Sequence, residues 1–178
     1  GQWQEFMLMN ALTVNLHLLM VSFYKPKDTR YKIIIEGGAF PSDQYAVKSQ
    51  IEFHGLDPND TLIELKPKEG EYCLSTDDIL KTIELNGEST ALIMLGGVNY
   101  YTGQKYDMEI IAEAGKKVGA FVGYDLAHAA GNVSLNMHDW NVDFAAWCNY
   151  KYLNCGPGAP SGIFVHEKHH KWEGARFT

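Results

Sequence analysis

The 178-residue chain falls within the size range of one domain, and its 46% hydrophobic and 12% aromatic content suffices for a buried core. A formal charge of −7, with acidic and basic residues interspersed, leaves no basic stripe and argues against nucleic acid or anionic lipid as a partner. Cys73, Cys148 and Cys155 form neither a CxxC pair nor an even set, a usage that suits a reducing, cytoplasmic compartment better than a disulfide framework.

Residues 6–23 form an apolar run long enough to raise a membrane span, but Asn10, Thr13, Asn15, His17 and Ser22 interrupt it. Leu8, Leu12, Leu16, Leu19 and Phe23 recur on one helical face, so the run predicts a helix packed on a core. No basic segment precedes it and no small-residue cleavage site follows, which argues against a signal peptide. The chain opens on Gly1 in place of Met and enters the run without a capping signal, the expectation for a piece of a longer protein.

Lys32 to Glu36 is a β-branched run closed by Gly37 and Gly38, and predicts a strand. Pro41 and Ser42 then open a helix over 43–53, with Tyr45, Val47 and Ile51 inward and Gly55 just past its end. Residues 61–66 alternate like a strand, Ser75 or Thr76 starts a helix that Asn86-Gly87 ends, and residues 90–95 read as an apolar strand. A helix over 107–118, with Ile110, Ile111, Ala114 and Val118 inward, precedes a strand over 120–124. Residues 142–147 and 163–166 bring the predicted strands to six. Strands alternating with helices of about ten residues imply crossover connections, and so an α/β fold with a mostly parallel sheet covered on both faces. Ligands bind such sheets beyond the carboxyl ends of the strands. Neither a repeat nor a linker divides the chain.

At those ends, the strand over 120–124 runs into Asp125-Leu126-Ala127-His128, and the apolar run to Trp147 leads to Lys151 ahead of the Gly156-Pro157-Gly158 turn. Pyridoxal phosphate needs a lysine amine for a Schiff base and a carboxylate that keeps its ring nitrogen protonated. Asp125 and Lys151 carry those chemistries. An Asp after a strand also serves as a turn cap and a lysine between aromatics as a surface residue, so the pair alone leaves both readings open.

Residues 124–131 (YDLAHAAG), His138-Asp139-Trp140, and residues 142–154 (VDFAAWCNYKYLN) resemble the cofactor-lysine region of kynureninases. Residues 10–15 (NALTVN), 39–43 (AFPSD), 101–104 (YTGQ) and 162–168 (GIFVHEK) extend the resemblance in the family's order. It reaches to about His170, corresponds to the middle of a full-length kynureninase, and leaves residues 171–178 as a divergent tail.

The resemblance implies a fold type I (aspartate aminotransferase-like) large domain over residues 1–170, without the small C-terminal domain. It makes Lys151 the Schiff-base lysine and Asp125 the partner of the pyridinium nitrogen, with Tyr150 as a further catalytic group and His128 as a cofactor contact. Leu12 and Thr13 match residues that hold the cofactor phosphate, where free N–H groups at a helix start attract an anion. Phe40 matches the aromatic over the cofactor ring, and Pro41, Ser42 and Asp43 belong to the same pocket loop. At Gly96 the family often carries a hydroxyl residue that touches the cofactor, and glycine forgoes that hydrogen bond, worth about 1 kcal/mol. The implied activity is hydrolysis of L-kynurenine or 3-hydroxykynurenine to anthranilate or 3-hydroxyanthranilate and L-alanine, by a homodimer, in tryptophan catabolism and NAD biosynthesis. Another pyridoxal phosphate enzyme of this fold, such as a cysteine desulfurase or aminotransferase, would share Asp125 and Lys151. A truncated, inactive relative is the third reading.

His166, His169 and His170 lack a carboxylate or thiolate at a metal-ligand spacing, so they are read as a solvated helix start and not as a metal site. Tyr100, Tyr101 and Trp147 are read as packing or pocket walls.

Overall fold

A computed structural model describes residues 2–171 and 173. In chain order a 3-10 turn (Trp3–Glu5) leads into β1 (Phe6–Leu8), α1 (Leu12–Phe23), β2 (Lys32–Glu36), α2 (Pro41–Phe53) and the single turn α3 (Pro58–Thr61). There follow β3 (Leu62–Leu65), α4 (Thr76–Leu85), β4 (Thr90–Gly96), α5 (Met108–Lys117), β5 (Phe121–Asp125), β6 (Phe144–Trp147), β7 (Gly162–Val165) and a second 3-10 turn (Glu167–His169). The strands form one sheet in the order β1-β7-β6-β5-β4-β2-β3. β7 is antiparallel to both of its neighbours, and every other pairing is parallel. The α/β architecture expected from the alternating pattern is therefore present. Of the predicted tail, residues 172 and 174–178 lie outside the described residues.

One strand was not anticipated. The first apolar run does not form one helix: Phe6, Met7 and Leu8 pair with Phe164, Ile163 and Gly162 of β7, and the Phe6 ring packs on Phe164 at 5.4 Å. Asn10, at φ 48, takes the left-handed conformation that asparagine tolerates and turns the chain from β1 into α1. Asn15 fastens this turn by donating to the Met9 carbonyl at 2.8 Å. Leu8 is consequently exposed, and the buried face of α1 is Leu16, Leu19, Met20 and Phe23. No helix among the described residues is long and apolar enough to cross a membrane.

Strand alternation builds two cores. Ile33 and Ile35 of β2 face Leu16, Met20, Val47 and Ile51 of α1 and α2, whereas Ile34 faces Ile79, Ile83 and Ile111 of α4 and α5. Each such side chain contributes roughly 1.5–3 kcal/mol by leaving water. Two inward assignments are corrected: Tyr45 is 75% exposed and Ile110 is 42% exposed. Tyr45 is two residues from Val47, about half a turn round the helix, and Ala46 occupies the inward position beside Val47.

Close packing also explains a strand glycine. Gly123 pairs with Phe144 across β5 and β6, and a Cβ at Gly123 would run into the Phe144 ring. Gly123→Ala is therefore expected to destabilise the full chain by about 1–3 kcal/mol. Urea unfolding measures this, and an unchanged midpoint would contradict the packing described.

Candidate functional site

Parallel strands deliver their carboxyl ends to one edge of the sheet. Glu36 ends β2, Gly96 ends β4 and Asp125 ends β5, and all three line a cavity of about 410 Å³. The loop into α2 adds Phe40, Ser42 and Asp43, the turn after β5 adds His128, and the loop after β6 adds Tyr150 and Lys151. Ala11, Leu12 and Thr13 at the start of α1 close the remaining side. Of the cofactor-site residues that the resemblance implies, all but Pro41 line this cavity. Pro41 is the first residue of α2, where its fixed φ and missing N–H suit a helix start.

Asp125 caps its turn and also borders the cavity. Its Oδ1 accepts from the Ala127 N–H at 2.7 Å, capping the turn, while the carboxylate, 8% exposed, borders the cavity. Asp43 lies against it. Burial first, and then the Asp125 charge and hydrogen bond, push the Asp43 carboxyl up to about 9, so that Asp43 is protonated at neutral pH. Ser42 Oγ donates to Asp43 Oδ1 at 3.2 Å.

Lys151 points inward, not to solvent. Its Nζ lies 3.2 Å from His128 Nε2 and 5.7 Å from the centroid of the Phe40 ring. Burial and the Lys151 charge both hold the His128 imidazole below its ordinary range, which leaves it neutral and able to accept a hydrogen bond from the amine. Tyr150 is half exposed; its hydroxyl is bonded to Cys148, the main cause of its raised pKa. The start of α1 also borders the cavity through Ala11, Leu12 and Thr13, and no side chain caps its first-turn N–H groups.

Glu36 was missed in the sequence. It is 6% exposed, and burial pushes its carboxyl up to about 7. Its position as the last residue of a strand, ahead of Gly37-Gly38, was the available signal. Tyr100 is a wall of the cavity, its ring edge-on to Phe40 at 5.2 Å between centroids, whereas Tyr101 is 86% exposed. Trp147 packs beside Phe6, and its Nε1 donates to Asn149 Oδ1 at 2.9 Å.

The aminotransferase class-V family profile matches residues 58–166. A kynureninase of Flavobacterium psychrophilum is 64% identical over 166 residues, which are 93% of this chain and 39% of that relative. A kynureninase of Nematostella vectensis is 61% identical over 165 residues, 93% of this chain and 36% of that relative. The chain thus spans about two-fifths of the length of these curated relatives. Among solved structures, the apo cysteine desulfurase of Thermococcus onnurineus NA1 superposes with a TM-score of 0.77 at 21% identity, over 95% of this chain and 40% of that one. Alanine-glyoxylate aminotransferase from Nostoc sp. gives a TM-score of 0.72 at 18% identity, over 95% of this chain and 43% of that one. At those identities the likeness shows the fold, fold type I.

The histidines near the end of the described chain divide. His169 bonds Asp143 at 2.9 Å and His170 is exposed, but His166 is 8% exposed, which corrects its reading as a solvated helix start. The buried Glu5 Oε1 lies 2.9 Å from His138 Nδ1 and 3.7 Å from His166 Nδ1, a triad of metal-ligand type. The two rings are stacked at 4.8 Å and 15°, so no single ion lies in both ring planes, as imidazole ligation requires. Glu5 Oε1 instead accepts from His138 and from the Glu167 N–H, and His166 Nδ1 accepts from the Lys168 N–H.

Burial raises the Glu5 pKa, but hydrogen bonds from His138, Glu167 and Gln2 outweigh it and leave the carboxyl below its ordinary value. The Glu5 hydrogen bond in turn raises His138 above its own. A depressed carboxylate loses its contribution as pH falls through its folded value, and a raised imidazole loses its contribution as pH rises through its folded value. The pair therefore stabilises most between the ordinary values of 4.5 and 6.5. The stability difference between wild type and Glu5→Gln, followed by urea unfolding against pH, is expected to peak in that window. A flat difference would contradict the pairing.

Proposed function

The chain belongs to the aminotransferase class-V family, and on that premise we propose that its cavity holds pyridoxal 5'-phosphate and serves a kynureninase-type hydrolysis of L-kynurenine or 3-hydroxykynurenine. The products are anthranilate or 3-hydroxyanthranilate and L-alanine. The observation that carries this reading is the convergence of Lys151, His128, Asp125 and the uncapped start of α1 on one cavity.

The donor set fits the cofactor group by group. Leu12 and Thr13 at the helix start suit its phosphate, Lys151 its aldehyde, Phe40 the face of its ring and Asp125 its cationic nitrogen. With Asp43 protonated, one negative charge rather than two lies beside that nitrogen. When bound, pyridoxal phosphate supplies an aldehyde that captures amines and a ring that withdraws electrons from the substrate's α-carbon.

The chain's own residues then have defined tasks. Neutral His128 accepts a hydrogen bond at Nε2 from the Lys151 ammonium, and so orients the amine and shares its proton. Lys151 Nζ, as the neutral amine, would be the base that moves the α-proton. Tyr150, half exposed at the rim, has a hydroxyl already engaged with Cys148 and able to relay protons at the mouth of the cavity. The identity to curated kynureninases supports the choice of substrate over other chemistries of the fold. The same reading makes the protein a cytoplasmic homodimer, and the exposed Trp3, Met7 and Leu8 beside the β1 edge offer apolar surface to a partner.

Borohydride reduction in the presence of pyridoxal phosphate, followed by peptide mass mapping, is expected to mark Lys151 in the full chain and to leave Lys151→Ala unmarked. Asp125→Ala should retain the mark but lose at least about 100-fold of kynurenine turnover, as an electrostatic partner in a buried site does. The substrate assignment is abandoned if the marked protein releases no alanine and anthranilate from kynurenine while turning over cysteine or an amino-group acceptor.

A further inference from the structure

Glu36 is a buried carboxylate held by backbone. The Gly96 N–H donates to Oε1 at 3.0 Å and to Oε2 at 3.1 Å. Such a group is costly to bury, and its neighbour makes room for it: a Cβ on Gly96 would lie 2.8 Å from Glu36 Oε1. Gly96 is the last residue of β4 and pairs with Asp125, and the next residue, Gly97, donates its N–H to the Asp125 carbonyl at 2.8 Å. The clamp on Gly96 is therefore one residue from the bond that holds the Asp125 backbone.

Given the cofactor reading above, on which this inference rests, we propose that Glu36 is a positioning residue of the site. Its carboxylate grips the Gly96 N–H and so fixes the strand end that holds Asp125 toward the ring nitrogen, and a Cβ at Gly96 would press on that carboxylate. The ionisable groups facing Glu36 are Asp125 of β5, Asp43 of α2 and Tyr106 ahead of α5. None is a cation, and burial already pushes the Glu36 carboxyl up to about 7. Its ionised form is the better acceptor for the Gly96 N–H and the better neighbour for a cationic ring.

The test is pyridoxal phosphate affinity, by equilibrium titration of the full chain, for wild type, Glu36→Gln, Glu36→Ala, Gly96→Ala and the Glu36→Ala/Gly96→Ala pair, with unfolding midpoints as controls. Removing the clamp from either side should weaken binding about ten-fold, the effect of one hydrogen bond to a charged acceptor. The double variant should bind no more weakly than the weaker single variant, because the contact with the added Cβ disappears with the carboxylate. Glu36→Gln keeps an oxygen for Gly96 and should stay within about three-fold of wild type below neutrality. The ratio of wild-type to Glu36→Gln affinity should then rise as pH passes through about 7, as the native carboxyl ionises. Wild-type affinity in Glu36→Ala, additive losses in the double variant, or a Glu36→Gln pH profile equal to wild type overturns the proposal. If Glu36→Ala does not fold, the Glu36→Gln profile decides. If wild type itself does not bind, it is the cofactor reading that fails.

Discussion

The parallel register of β4, β5 and β6 is the constraint on which the rest of the site depends. Gly96, Asp125 and Ala146 stand side by side across three strands, so the end of each strand reaches the same edge. Alternation sets the faces: Tyr124 packs with α4 and α5, and Asp125 turns to the opposite side, where α1 and α2 begin. A slip of one residue in β5 would bury Asp125 on the wrong side and separate it from Asp43 and Phe40. Phe144, in contact with Gly123, and the Asp143 carboxylate, which accepts from the Val122 N–H at 2.8 Å, lock that register from β6.

The second organising feature is charge. Three carboxyl groups, Glu36, Asp43 and Asp125, meet in one half-enclosed cavity, and they cannot all ionise there at low cost. Raising Asp43 and Glu36 relieves the repulsion. In the same cavity Lys151 and the start of α1 supply positive potential, with neutral His128 3.2 Å from the amine. A ligand that carries an anion at one end and a cationic ring nitrogen at the other completes this pattern.

Much of this was legible in the sequence because parallel α/β chains have a strong periodic signature. Lys32–Glu36 was delimited by Gly37-Gly38, and the strand-end rule drew attention to Asp125 and Lys151, whose cofactor roles came from the resemblance alone. What stayed hidden depended on tertiary partners. Phe6–Leu8 is helical by its own spacing, and becomes a strand only because β7 lies beside it. Tyr45 and Ile110 are apolar residues on exposed faces, which periodicity over a short helix does not resolve. Glu36 reads as an ordinary strand-terminal acid until the fold brings Gly96 against it across 60 residues of chain. His166 gave no sign of Glu5, 161 positions earlier, because their contact exists only once β1 is in place.

The central claim is that Lys151 and Asp125 face opposite parts of one bound cofactor ring. Its most direct test is a crystal structure of the full chain grown with pyridoxal phosphate. The account predicts electron density continuous from Lys151 Nζ to the cofactor, the phosphate on the Leu12 and Thr13 N–H groups, and the ring nitrogen hydrogen-bonded to Asp125. A cofactor bound elsewhere, or one in this cavity with its ring nitrogen turned away from Asp125, would contradict it.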